Sequence, residues 1–299
     1  SHYDGLIQRS SDSGPEHTIV YVNESMSQDP IPGYELTTTA GLSIRANQQV
    51  NALDSVRCWV QDGKRIQRIR KSSGNTGGLD DDLKFTDNPG QSDNFADLVW
   101  YLLTSNKFGV GDLVKESMVD AQQMRRTARY LQRYGLLFNG AIDQKVNVRD
   151  YIAELAPFFL CHFTIRNGLF SLIPVFPTDA QGEILDQAPL AATFDDYNII
   201  EGSLKANYLD GDERQLFHAE VKYRVNPKNT LPEERTVLIK FKNSKNYDAK
   251  PIEVFDMTSF CTTREHAVLA GRYFMALRKN ITHALTFKTN PEEMRGIGP

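Results

Sequence analysis

Six histidines, His2, His17, His162, His218, His266 and His283, are the residues best suited to proton transfer or metal binding near neutral pH, and no two of them are close in sequence. A metal site or a general base needs convergent partners, so each isolated histidine reads first as a surface or satisfied core residue. Glu265-His266 could suggest an acid–base or metal pair. Neighbouring residues on a helix point about 100° apart, and Glu265 already reads as a capping partner, so the pair is a weak catalytic candidate. The sequence carries no G-x-S-x-G elbow, no H-E-x-x-H zinc helix and no phosphate-binding P-loop. Cys58, Cys161 and Cys261 lie about a hundred residues apart, which argues against a disulfide framework or zinc knuckle and predicts free thiols. No catalytic, cofactor-binding or metal-binding residue is assigned on these grounds.

Two charged stretches remain. Asp80-Asp81-Asp82, with Asp87 and Asp93 beyond, supplies oxygen ligands of the kind calcium takes, but the spacing is not that of a calcium loop. It reads as a solvated charge run, and Asp210-Gly211-Asp212 as a turn. The basic run Lys64-Arg65-Ile66-Gln67-Arg68-Ile69-Arg70-Lys71 interleaves cations with isoleucines. On a strand it would present one charged and one apolar face, fit for phosphates or for an acidic partner subunit. Trp59 and Trp100, the only tryptophans, sit inside apolar patterns where core packing is expected rather than sugar stacking.

The elements that would position these residues fall into three blocks. Residues 1–91 read as a β-rich domain, with strands over His17 to Glu24, Gly41 to Ala46 and Val56 to Val60, and an Asp62-Gly63 turn leading into Arg65 to Ile69. Gly, Asp, Asn and Ser dominate 72–94, which reads as a mobile loop. Residues 92–178 read as helical with a closing hairpin. Phe95, Leu98, Val99, Leu102 and Leu103 form a helical stripe behind Ser92-Asp93, with Gly109 and Gly111 as its stop. A second helix runs from an Asp120 cap through Met124, Ala128 and Leu131 to Gly135, and a third places Val148, Ile152, Leu155 and Ala156 on one side before Pro157. Asn167-Gly168, between Phe163 to Ile165 and Leu169 to Phe176, predicts a type I′ hairpin. Residues 179–299 return to β character at Ala219 to Val225, Thr236 to Phe241 and His283 to Lys288. They hold one helix, with Thr262 and Glu265 as a capping box and a stripe of Ala267, Val268, Gly271, Phe274 and Met275.

The chain of 299 residues, 40% apolar and 24% charged, can bury a sizeable core over about two domains. No run approaches the ~20 apolar residues of a membrane span, and Ser1 to Ser10 has no signal-peptide pattern. The net charge of -4 gives no global attraction to nucleic acid or anionic lipid.

Several segments, in order, resemble the host-specificity protein J family of lambda-like siphophage tails. They are Gly14 to Glu24 (GPEHTIVYVNE), Gly41 to Gly63 (GLSIRANQQVNALDSVRCWVQDG) and Asp93 to Gly111 (DNFADLVWYLLTSNKFGVG). Ile200 to Lys205 (IEGSLK), Val221 to Tyr223 and Phe260 to Arg272 follow. The third is similar to the family's Asp-Asn-Pro and Leu-Leu-Thr-Asn helix ending in Tyr-Gly-Leu-Gly, with Phe95 in place of the proline and Phe108-Gly109-Val110-Gly111 in place of the ending. The resemblance implies an α+β fold with two β-barrel-like hub domains and an inserted helix–hairpin domain. It also implies a non-enzymatic structural role at the tail tip of the virion, for host attachment and passage of phage DNA, in a protein made in the bacterial cytoplasm. Implied partners are two further copies in a homotrimer, a distal tail protein, a tape measure protein, and a bacterial receptor contacted through parts absent from this chain. No cofactor, membrane insertion or specific DNA binding is implied. The close at Ile297-Gly298-Pro299 reads as a truncation. A tail-associated cell-wall hydrolase and a carbohydrate-binding module are the rival readings.

Overall fold

The computed structural model describes residues 4–8, 39–43, 64–71, 83–85, 89–142, 145–187, 190, 192–209, 215–225, 233–241 and 250–290. The chain divides into two compact units, Ser1–Gln61 and Asp62–Pro299. In the first, β1 (Asp4–Gln8) and β2 (Thr39–Ser43) pair antiparallel, with Leu6 opposite Gly41. The strands expected over His17 to Glu24 and Val56 to Val60, and the Asp62-Gly63 turn, lie outside the described residues.

The second unit begins with β3 (Ile69–Lys71) against β4 (Leu83–Phe85). The stretch 72–94, expected from composition to be a loop, therefore contributes a strand. Its few apolar residues explain this: Phe85 stacks on Trp100 with ring centroids 4.0 Å apart. Residues 72–82 and 86–88 lie outside the described residues.

Helix α1 (Phe95–Thr104) buries Phe95, Val99, Leu102 and Leu103, as the stripe predicts. Its cap is Asn94, one position beyond the expected Ser92-Asp93, and the Asn94 side-chain oxygen accepts from Ala96 N at 2.9 Å. The helix ends at Thr104 with Ser105 as its C-cap, ahead of the expected stop at Gly109 and Gly111. Those glycines instead let the following turn fold back onto the helix end, where a Cβ at Gly109 would lie 2.1 Å from the Leu102 carbonyl oxygen. Helix α2 (Ala121–Arg133) starts at Asp120, whose carboxylate accepts from Gln123 N, and buries Met124, Ala128 and Leu131. Helix α3 (Val148–Leu155) is capped by Asn147 and runs into a 3-10 turn, Ala156–Phe159, that carries Pro157 in its first turn. β5 (Cys161–Arg166) and β6 (Leu169–Pro174) form the expected hairpin, with Asn167 at φ 51° and Gly168 at φ 80°.

Downstream, β7 (Lys205–Tyr208) pairs with β11 (His283–Thr286) as an antiparallel ribbon. β8 (His218–Val225), β9 (Glu233–Ile239) and β10 (Ile252–Asp256) form a sheet in the order β10-β8-β9, with β10 parallel to β8. Helix α4 (Arg264–Asn280) covers one side of that sheet, over Ala219, Val221 and Tyr223. The Thr262/Glu265 capping box does not form. Thr263 is the N-cap and makes no side-chain cap bond, while the Thr262 hydroxyl accepts from Asn139 Nδ2 at 3.0 Å.

Mixed α and β composition is as expected. The described strands form five open sheets of two or three strands, and none closes into a barrel among the described residues. One apolar core runs through the second unit, joining α1, α2, the 3-10 turn, the β5–β6 hairpin, the β8 sheet and α4. Phe159 is stacked on Phe95 at 4.1 Å and lies 5.3 Å from Phe260, so the helical block and the sheet block share it.

Gly271 sets the depth at which α4 docks. A Cβ there would stand 2.4 Å from Ile239 Cδ1 and 2.9 Å from Val221 Cγ2. The Ile239 tip can swing aside, but β-branched Val221 in the central strand cannot. Gly271→Leu is expected to destabilise the fold by about 2 kcal/mol through overpacking. Urea unfolding checks it, and a loss below about 0.5 kcal/mol would show that the helix rides up freely.

Candidate functional site

The structure separates the residues that sequence placed side by side. Glu265 is exposed, whereas His266 is fully buried and its Nε2 lies 2.9 Å from the Phe158 carbonyl oxygen. A carbonyl only accepts, so Nε2 carries the proton and donates. The imidazole packs 5.0 Å from the Phe159 ring. Burial pulls its pKa down to about 4, against the opposing pull of the Phe158 and Leu137 carbonyls. The geometry holds a neutral ring between two parts of the core, out of reach of any substrate.

The other histidines do not converge on it. His218 is buried at the start of β8, while His162 and His283 are exposed, the latter beside Tyr208 at 5.5 Å. His2 and His17 lie outside the described residues. Among the described residues no group of three or more His, Cys, Asp or Glu side chains could hold a metal ion. Cys161 and Cys261 are buried free thiols, as expected. Burial raises both, Cys161 well above the ordinary range and Cys261 to about 11, so neither is poised as a nucleophile. Cys58 lies outside the described residues.

Asp80, Asp81, Asp82, Asp87, Asp210 and Asp212 also lie outside the described residues, and Asp93 is exposed. Trp100 is buried, stacked on Phe85, and its Nε1 donates to Gln67 Oε1 at 2.9 Å, so it is a core residue. Trp59 falls outside the described residues. No helix among them is long and apolar enough to cross a membrane.

The basic run does not form the strand face that alternation predicts. Ile66 and Ile69 are both buried but three positions apart, and β3 takes in only Ile69–Lys71. Ile66 forms an isolated bridge with Gly90, and Arg68 packs over Gly90 and donates to the Gln91 carbonyl. The irregular backbone before β3 breaks the alternation. It leaves Lys64 and Arg65 exposed at one end.

Three features appear only once the chain is folded. The first is a cationic aromatic patch. Lys64 Nζ lies 5.1 Å and Lys107 Nζ 5.4 Å from the centroid of the Phe108 ring, which is 49% exposed. The second is the β7–β11 ribbon, all eight of whose residues are exposed. Its register places Ala206, Tyr208, His283 and Leu285 on one face and Lys205, Asn207, Ala284 and Thr286 on the other. The first face is apolar yet uncovered, with Tyr208 74% and Leu285 56% exposed. The third is a tight turn at 193–198 that leads into the ribbon. Asn198 Oδ1 accepts from Asp195 N, Asn198 Nδ2 donates to the Thr193 carbonyl, and Tyr197 projects with 98% exposure. No motif in the sequence announced the first or the third, because their residues are ordinary in type and meet only through tertiary structure.

No protein-family model matches the sequence, and no curated protein matches it.

Proposed function

We infer that the chain is a structural part of a phage tail-tip hub and acts by assembling with copies of itself rather than by catalysis. The observation that carries this reading is the β7–β11 ribbon. A two-stranded ribbon is marginal on its own, and an amphipathic one with its apolar face in water is favoured only when something covers that face. A subunit of an assembly has such a cover. The ordered tail-like segments from Gly14 to Arg272 add to this, and they name the kind of assembly.

In this reading three copies form a ring at the distal end of the tail tube. Barrel-like domains near 1–91 and 179–299 of each copy alternate around a lumen through which DNA passes without specific binding. Distal tail and tape measure proteins would contact the ring, and receptor contact would fall to other parts of the full polypeptide. The protein would reside in the virion.

Negative-stain electron microscopy of the purified full-length protein or of native tails tests the reading directly. The expected image is a threefold ring about a central opening. A stable dimer by light scattering, or two structural blocks without common topology once the barrels are complete, would overturn it. A cleared band in a peptidoglycan zymogram would favour the hydrolase instead.

A further inference from the structure

We propose that the Lys64–Lys107–Phe108 patch of one copy receives the Asp195-Asp196-Tyr197 turn of the next, making a head-to-tail contact between copies of this chain. The proposal rests on the assembly reading above and deepens it by naming the two surfaces that meet.

The patch has the character of an unfilled half-site. Lys64 and Lys107 come from segments far apart in sequence, and the fold brings their ammonium groups to 5.1 and 5.4 Å from the centroid of one ring. Like charges gathered that closely repel. Neither lysine forms an ion pair with a carboxylate among the described residues, and Arg65 beside them is exposed. An anionic group on this surface relieves the repulsion, and an aromatic one gains the exposed face of Phe108.

The turn supplies both. Asp195 and Asp196 are exposed, and Tyr197 stands almost wholly in water. Its backbone is held in place: Asp195 Oδ1 accepts from Tyr197 N at 2.9 Å, the Asn198 carbonyl accepts from Thr289 Oγ1, and Phe194 packs on Phe287 at 4.8 Å. A rigid turn that projects a tyrosine loses little entropy on docking, and tyrosine is enriched among interface anchors. Nucleic acid fits the patch less well, because the chain as a whole carries a charge of -4 and would repel a polyanion.

The two surfaces differ and lie on separate parts of one unit, the patch beside the C-terminal end of α1 and the turn between β6 and β7. Their contact is therefore heterologous. Such contacts propagate around an axis and close into a ring when the rotation allows.

Sedimentation of the 299-residue chain across concentration, at low and high salt, tests the contact. Lys107→Glu and Asp196→Lys are each expected to weaken self-association at least about tenfold. The two changes in one chain should restore it, since each interface then meets reversed charge with reversed charge. Phe108→Ser and Tyr197→Ser should weaken it without changing its salt dependence, whereas raising salt should weaken the parent chain. All four positions are at the surface, so unchanged circular dichroism and thermal midpoints confirm intact folding. No association at any accessible concentration, or association indifferent to both reversals, would overturn the contact. Threefold assembly indifferent to the reversals would keep the hub reading and discard this contact. A non-threefold assembly that the reversals break and restore would do the opposite.

Discussion

Acidification from pH 6.5 to 4 is expected to cost the fold about 3 kcal/mol through His266 alone. The ring is held neutral in the native core, with a pKa lowered to about 4 by burial, while in the unfolded chain it titrates near its ordinary 6.5. Between these values the unfolded chain binds a proton that the native state refuses. Native stability from this group is complete above about pH 6.5 and is lost as the pH falls toward 4. The Phe158 carbonyl and the Phe159 ring fix the imidazole where helical block meets α4, so protonation attacks the join between the two parts of the core. Urea denaturation at several pH values measures the effect. His266→Leu should lower stability at pH 7.5, where the Nε2 to Phe158 bond is lost, yet flatten the decline between pH 6.5 and 4. An equally steep decline in the variant would assign the acid sensitivity elsewhere.

Asp97→Ala is expected to lose about 3 kcal/mol, the second large effect. Asp97 is fully buried on α1 within a face that is otherwise apolar. Its Oδ1 accepts from Ile69 N at 2.8 Å and its Oδ2 from Ser92 Oγ at 2.5 Å. One carboxylate thus ties β3 and the segment before α1 to the helix. Alanine leaves a buried backbone N–H without this acceptor and a void where the carboxylate stood, and each contributes to the loss. Asp97→Asn keeps one acceptor and should cost less. Chemical denaturation gives the size, and hydrogen exchange at Ile69 should speed up in the alanine variant. A loss under about 1 kcal/mol would mean that β3 is held by Phe85 and Trp100 without the carboxylate.

Where one short segment carried its own instructions, the reading from sequence held. The α1 stripe, the Asp120 cap and the Asn167-Gly168 turn depend on periodicity, a single cap bond or backbone sterics, all expressed within about one or two turns of chain. Judgements that averaged over composition fared differently. The stretch 72–94 reads as featureless because polar residues outnumber its apolar ones, yet β4 pairs with β3 and its Phe85 stacks on a tryptophan fifteen positions on. The basic run looked like an alternating strand, but isoleucines three apart can both be buried when the backbone between them is irregular.

The amino-acid sequence by itself determined the mixed α and β class, the four described α-helices, the hairpin and the lack of any local catalytic motif, because those follow from neighbours along the chain. Only the tertiary structure decided that Thr262 would serve Asn139 instead of capping α4, that His266 would turn inward to Phe158 and away from Glu265, and that Lys64 would meet Lys107 over one ring. Those choices pit one partner against another across 40 or more residues, and the winner depends on burial, which is settled only when the core closes.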